Sequence, residues 1–180
     1  MHLLTTPRLV LDAPRESDIP AVLVACQDAE TQRWVPLPEP YTRESAEFFV
    51  RSYCPHGLAS GQYSVWAFRE SAEDPLIGVI EVRRDEAPGS ASVGSWAAPG
   101  GRGRGLVREA LAAVAEHALE QGGLGFAQLR WDCLRGNDAS RRLAESVGFV
   151  FDEAPGRTLW YRGEERPALI GVLRRDGLRG

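Results

Sequence analysis

The chain has 180 residues, 43% of them hydrophobic, and a formal net charge of −4. That length suits one domain, residues 1–180, with a substantial core, and the apolar share suits a globular chain and not a disordered one. The acidic balance argues against a general nucleic-acid binder, which needs a basic face, but leaves room for a local anion site. Cys26, Cys54 and Cys133 lie far apart and show no Cys-x-x-Cys or metal spacing, so a reducing cytoplasm and no bound metal are expected. The first residues lack a signal-peptide core, and no apolar run is long enough for a membrane span.

Arg8-Leu9-Val10-Leu11-Asp12 reads as a first strand, ended by Pro14. Ser17 and Asp18 can cap a helix from about Ile19 to Asp28, with Ile19, Val22, Leu23 and Cys26 apolar. Trp34 to Tyr41 is too rich in proline for a helix or a central strand and reads as an ordered loop. Thr42 caps a second helix that includes Phe48, Phe49 and Tyr53, and His56 to Gly61 reads as a loop. Tyr63 to Arg69 alternates as a strand, and Leu76 to Val82 is a second, strongly β-branched one. With another strand from Ser92, these closely spaced segments predict an antiparallel meander.

Ala98-Pro99-Gly100-Gly101-Arg102-Gly103-Arg104-Gly105 follows that strand and precedes a helix from Leu106 to Leu119, whose Leu106, Ala110, Leu111, Val114 and Ala118 share one face. The first N–H groups of a helix have no intrahelical partner, and the helix dipole favours negative charge there. Gly103 and Gly105 allow a sharp turn and close ligand approach, and Arg102 and Arg104 add positive charge. The stretch therefore reads as a pyrophosphate cradle. It is not a P-loop, because Leu106 and Val107 stand where Lys and Ser or Thr are needed. The dinucleotide fingerprint also fails, since its third glycine would fall at Arg108 or Leu106. The plain alternative is a glycine-rich turn that only links strand to helix.

Gly122 to Gly125 stops the long helix, and Phe126 to Cys133 reads as a strand. Arg135 to Ser140 leads into a helix from Arg141 to Val147, closed by Gly148-Phe149. Arg157 to Tyr161 and Pro167 to Leu173 read as two closing strands.

Pro99-x-x-Arg102-Gly103-Arg104-Gly105, then Glu109-Ala110-Leu111, resembles the central motif of the GNAT family of N-acetyltransferases. Thr5 with Pro7-Arg8-Leu9-Val10-Leu11 and Ser17-Asp18, and Asn137-x-x-Ser140-Arg141-Arg142 with Gly148-Phe149, resemble its RimJ/RimL-type branch, which acetylates protein N-termini. The resemblance implies an α/β fold with one mixed, mostly antiparallel sheet of about seven strands, about four flanking helices and a splayed parallel strand pair. It also implies acetyl-CoA as co-substrate, a primary amine as acceptor (an N-terminal α-amine or a small amine), no nucleic acid or membrane partner, and a homodimer by family habit. A catalytically inactive coenzyme A-binding module of the same fold is the alternative.

By this resemblance the splay frees backbone N–H groups near Trp96, Ala97 and Ala98, one of which can polarise the acetyl oxygen. Gly103, Arg104, Gly105, Leu106 and Val107, with Arg102, hold the pyrophosphate. Asn137 hydrogen-bonds the pantetheine arm, or is a helix cap only. Ser140 donates a proton to the leaving thiolate, or is an ordinary helix residue. Glu81 acts as general base through water, or is an exposed strand-end charge. Trp34 and Tyr41 line the acceptor side, or pack their loop onto the sheet; Trp66 and Trp96 add to the hint of an aromatic pocket. Two positions depart from the family: Ala144 stands where many relatives carry a tyrosine, and Val107 where many have Gly or Ala. His117 reads as a packing residue, His56 as a surface one, and Cys133 as core and not a nucleophile.

Overall fold

The computed structural model describes residues 2–152 and 156–176. Its strands are β1 (Leu4–Thr5), β2 (Val10–Asp12), β3 (Tyr63–Arg69), β4 (Gly78–Arg84), β5 (Ser90–Ala97), β6 (Gln128–Leu134), β7 (Val150–Asp152), β8 (Thr158–Tyr161) and β9 (Glu164–Arg174). The α-helices are α1 (Ile19–Gln27), α2 (Ala29–Trp34), α3 (Arg43–Phe48), α4 (Cys54–Ser60), α5 (Leu106–Leu119) and α6 (Asp138–Glu145). A π-helical stretch, Phe49–Tyr53, joins α3 to α4 without a break.

The sheet runs β1-β2-β3-β4-β5-β6-β9-β7, with β8 paired to β9. Among the described residues β5–β6 is the one parallel pair. It runs from Ser90↔Gln128 to Val93↔Trp131 and stops there. β5 stays paired to β4 as far as Ala97↔Gly78, and β6 stays paired to β9 as far as Leu134↔Ala168. The two parallel neighbours therefore diverge beyond Val93 and Trp131, as the resemblance implied.

Both sheet faces are covered, which explains why β3 and β4 read as almost continuous apolar runs. Trp66, Phe68, Ile80 and Val82 pack against α5 and α6 in one core. Tyr63, Val65, Ala67 and Val79 pack against the α1–α4 layer in another. The split follows the two-residue alternation of a strand. Glu81 pairs with Val65 and shares its face, so it points toward the α1–α4 layer.

The sheet has two strands more than the expected seven. β1 and β7 hold two and three residues and exist only through pairing with longer neighbours, so they carry no periodicity of their own. Two helices also exceed the expected four. α2 occupies residues taken as connection and loop; Asp28 caps it by accepting the N–H of Thr31 at 3.0 Å. α4 replaces the loop expected at His56–Ser60: Pro55 sits in its first turn, where no N–H is needed, and Gly61 ends it at φ 67°. Among the described residues no helix is long and apolar enough to cross a membrane.

Asp18 does not cap α1 with its side chain. It is fully buried and faces Arg69, also fully buried, through two hydrogen bonds of 2.8 and 3.0 Å. Arg69 also binds Asp12 and the Asp74 carbonyl, and Asp18 also accepts the N–H groups of Arg15 and Leu76. The pair ties β2, β3 and the start of α1 together. Burial alone would raise the Asp18 carboxyl, but the Arg69 guanidinium and the backbone donors outweigh it and hold it below the usual range. A depressed folded-state pKa gives stability that is present above the unfolded value and is lost as pH falls through the folded one. Arg69→Met should cost about 3–5 kcal/mol in urea unfolding, because it strands a buried charge. In that variant the acid dependence should reverse, with stability rising as pH falls; an unchanged midpoint would show that the pair holds nothing.

Candidate active site

The glycine-rich loop begins with a single 3₁₀ turn, Pro99–Gly101, and swings into α5 through Gly103 and Gly105 at φ 71° and 75°. Those left-handed values are the reason for glycine there. Nothing lies within 4 Å of where a Gly103 side chain would start, so the loop presents bare backbone to open space. Gly105 is the N-cap of α5, and no side chain caps the helix. The N–H groups of the first turn therefore remain available to an anion.

The two arginines of the loop are both engaged by carboxylates, and Arg102 still lines the cavity that adjoins the loop. Arg102 binds Asp28 and Thr31 of the α2 cap and donates from Nε to the Ala97 carbonyl at 3.1 Å. Arg104 turns outward to a two-pronged pair with Glu70. Both guanidinium charges are balanced by carboxylates. Two further cations that sequence reasoning passed over flank the loop. Arg108, in the first turn of α5, lines the adjoining cavity and donates to the Ser146 carbonyl at 3.2 Å. Arg8 crosses the loop, donating to Glu109 and to the Arg104 carbonyl. Glu109 also accepts from Thr6, so the β1–β2 turn is clasped to α5. The family-like Glu109 thus has a structural task that spacing alone did not reveal.

A cavity of about 660 Å³ runs from this loop into the gap between β5 and β6. Gly103, Gly105 and Val107 line its loop end, and Trp96, Ala97, Asn137 and Ser140 line it further in. Leu106 is buried in the core and offers the site its backbone alone. Ala98 does not line the cavity; its N–H is donated to the Ile77 carbonyl at 2.8 Å. Alternation along the ladder turns the Trp96 N–H the same way and leaves the N–H of Ala97 facing the gap. The expected trio of free donors thereby reduces to Ala97.

Asn137 caps α6 through its Oδ1, which accepts the Ser140 N–H at 3.1 Å. Its NH₂ group is what remains for a ligand. The Ser140 hydroxyl accepts from Trp131 Nε1 at 2.9 Å, which fixes the oxygen at the cavity wall and leaves its proton to be donated. Cys133 lies on the same wall, its thiol pushed up to about 11 by burial, so it stays protonated. Ala144 is fully buried in the core and contributes no polar group. Asp132, not singled out from sequence, stands just beyond the last β5–β6 pair. One of its oxygens pairs with Arg130 at 2.9 Å, and the other is buried without a hydrogen-bond partner.

A second cavity, about 710 Å³, lies on the α1–α4 side. It shares Val35, Pro36, Glu81, Gly94, Ser95 and Trp96 with the first, so the two chambers meet between the loop after α2 and the β4–β5 ladder, just past the last β5–β6 pair. Glu81 pairs with Gly94 across the ladder. Its carboxylate accepts from the Tyr53 hydroxyl at 2.7 Å and from Arg83 at 3.0 Å, so it is a held group and not a loose strand-end charge. Burial and the neighbouring Glu81 carboxylate push the Tyr53 hydroxyl well above the usual phenol range, which keeps it a donor. Within the π-helical turn Phe49 stacks on Tyr53, four residues on, with ring centroids 5.6 Å apart. Neither ring was assigned to the site from sequence; only the helix was legible.

Tyr41 walls this second chamber, but it is buried and anchored in the core. Trp34 does not line it. Its ring belongs to the first cavity, and its Nε1 donates to Glu30 at 3.0 Å. Trp66 lies in the core on the opposite face of the sheet, donating to the His2 carbonyl. His117 packs against Trp66 and His2, and His56 is exposed and lines neither chamber.

Residues 8–150 match the sequence profile of the acetyltransferase (GNAT) domain family. No curated protein is similar enough in sequence to match. Solved structures superimpose well at low identity, which speaks for the fold. A GNAT-family acetyltransferase from Bacillus anthracis gives a TM-score of 0.83 at 16% identity, over 97% of this chain and 99% of that one. RimL, a ribosomal L7/L12 α-N-protein acetyltransferase in complex with coenzyme A, gives 0.83 at 19%, over 98% and 99%. Mycobacterium smegmatis RimJ, in complex with a coenzyme A disulfide, gives 0.82 at 19%, over 99% and 88%.

Burial pushes the Asp132 carboxyl above the usual aspartate range; Arg130 opposes this and Asp85 adds to it. A raised folded-state pKa means that ionisation costs stability as pH climbs from the unfolded value through the folded one. Asp132→Asn should therefore melt higher than the parent protein, with a gap that widens from about pH 4 to about pH 8. A gap that is constant or reversed over that range would refute the unpaired-oxygen account.

Proposed function

Since this chain belongs to the GNAT acetyltransferase family, we propose that it transfers the acetyl group of acetyl-CoA to a primary amine, either the α-amine of a protein or peptide N-terminus or that of a small molecule. One observation carries the reading: two chambers on opposite sides of β5 meet where β5 and β6 part, with a held carboxylate at the junction. An acetyl donor in one and an amine in the other come face to face there.

The loop fits a diphosphate by its uncapped helix start and its bare backbone at Gly103. Each hydrogen bond to that charged partner is worth roughly 1.5–3 kcal/mol. The Asn137 amide reaches the arm of the donor, and the Ala97 N–H polarises the acetyl oxygen. Holding amine and thioester in register supplies several kcal/mol, with about 7–11 as the ceiling. The amine nitrogen attacks the carbonyl carbon, a C–N bond forms and the C–S bond breaks. Glu81, oriented by Tyr53 and Arg83, takes the proton lost by nitrogen, directly or through water. An N-terminal α-amine titrates near pH ~7.7–8, so part of that substrate arrives neutral already. Ser140 donates to the leaving sulfur. The three cysteines are buried and free, which supports a reducing, cytoplasmic setting.

Acetyl-CoA should raise the melting temperature of the parent protein, since it binds only the folded form. Gly103→Asp should fold, because aspartate tolerates a left-handed φ better than most residues, and should lose that rise by like-charge repulsion. A retained rise would reject the loop assignment. Glu81→Gln should keep the rise while kcat for thiol release with an amine falls about 100-fold or more; an unaltered pH–rate profile would remove Glu81 from the mechanism.

A further inference from the structure

We infer that the acceptor is a primary amine carried on a bulky apolar body, aromatic or branched aliphatic, and that small hydrophilic amines and acceptors with a carboxylate beside the amine are rejected. The inference rests on the acetyl-transfer reading above and concerns the second chamber of that same site.

Size comes first. About 710 Å³ lies well inside the usual range of roughly 300–1,000 Å³ for pockets that enclose whole ligands. An amine bearing only a methyl or hydroxymethyl group would leave most of it filled with water. The walls are mostly apolar: Leu37, Phe48, Phe49 and Val79 line the chamber away from the first cavity, and Val35 and Trp96 line it where the two meet. Pro36 and Pro38 stiffen one side, which holds the space open at little entropic cost to the ligand. Phe48 is 61% exposed yet lines the chamber, an apolar ring with no protein partner over most of its surface. Every methylene that such walls withdraw from water favours binding by roughly fourfold.

Charge decides the orientation. Among the described residues Glu44 and Glu81 are the charged ones lining the chamber, and no arginine or histidine lines it. The nearest cation, Arg83, is engaged with Glu81 and the Tyr53 hydroxyl and lies over the Tyr63 ring at 4.1 Å. A protonated amine is drawn to Glu81 at the floor, where the donor chamber begins, and its apolar body fills the space behind. A carboxylate in the acceptor would meet two like charges and no partner. Gly94, across the ladder from Glu81, has nothing within 4 Å of its missing side chain, so the nitrogen has a clear approach to the junction.

The test is the rate of thiol release at saturating acetyl-CoA with matched acceptors. 2-Phenylethylamine should exceed ethylamine in kcat/KM by about 100-fold or more. Phenylalanine amide should exceed free phenylalanine by about tenfold or more. Peptides starting with phenylalanine or leucine should exceed those starting with serine or alanine, and their rate against 2-phenylethylamine tells whether a peptide or a small molecule is the source of the body. Phe48→Ser should raise KM for 2-phenylethylamine about tenfold while the acetyl-CoA melting rise persists. If ethylamine or the serine peptide is turned over as well as its bulky counterpart, the inference falls and acetyl transfer stands. If acetyl-CoA raises the melting temperature and no amine releases thiol, acetyl transfer fails and this inference fails with it.

Discussion

The parallel ladder between β5 and β6 ends at Val93 and Trp131, and the backbone groups beyond it need other partners. Some find them inside the protein. The Ala98 N–H is engaged by Ile77 and the Ala97 carbonyl by Arg102. The Ala97 N–H is left pointing into a gap, the place where the proposed acetyl oxygen would accept it. Both chambers depend on this divergence. One occupies the gap itself, and the other reaches it from the far face of β5 past Glu81 and Gly94. A sheet paired to its end would have neither the gap nor the junction.

Around the loop the charges are arranged differently from what two interleaved arginines suggest. Asp28 neutralises Arg102 and Glu70 neutralises Arg104, so these side chains brace the loop against α2 and the end of β3. On the proposed reading, anion binding falls mainly to backbone amides and the α5 dipole, with Arg102, Arg108 and Arg8 nearby. Bracing and binding are separate tasks here, and the glycines serve the second by keeping side chains out of the way.

Much of this was legible before any coordinates. The bounds of β3 and α5 were read from periodicity alone, because both elements are long and bury a regular face. The splay followed from resemblance. What stayed hidden depended on partners distant in sequence. β1 and β7 are defined only by their neighbours, and α4 survives Gly57 because the Tyr63 ring packs where a side chain would stand. The partners of Arg102 and Arg104 lie 74 and 34 residues away, so no local motif reveals that they are neutralised. Trp34 sits beside the proline-rich loop but ends a helix, which turns its ring to the other chamber. Tyr53 carries no motif at all; only the register of β4 against the π-helical turn brings it to Glu81.

The junction of the two chambers also governs the order of events. Their linings overlap at the Val35–Pro36 loop, Glu81 and the end of β5 and are otherwise largely different, so filling one does not require emptying the other. The lone thiol on the donor wall is protonated and makes a poor acetyl carrier. On the proposed acetyl transfer both reactants are then resident together, the product-forming collision is a single passage between the chambers, and double-reciprocal plots for the two reactants should intersect instead of running parallel.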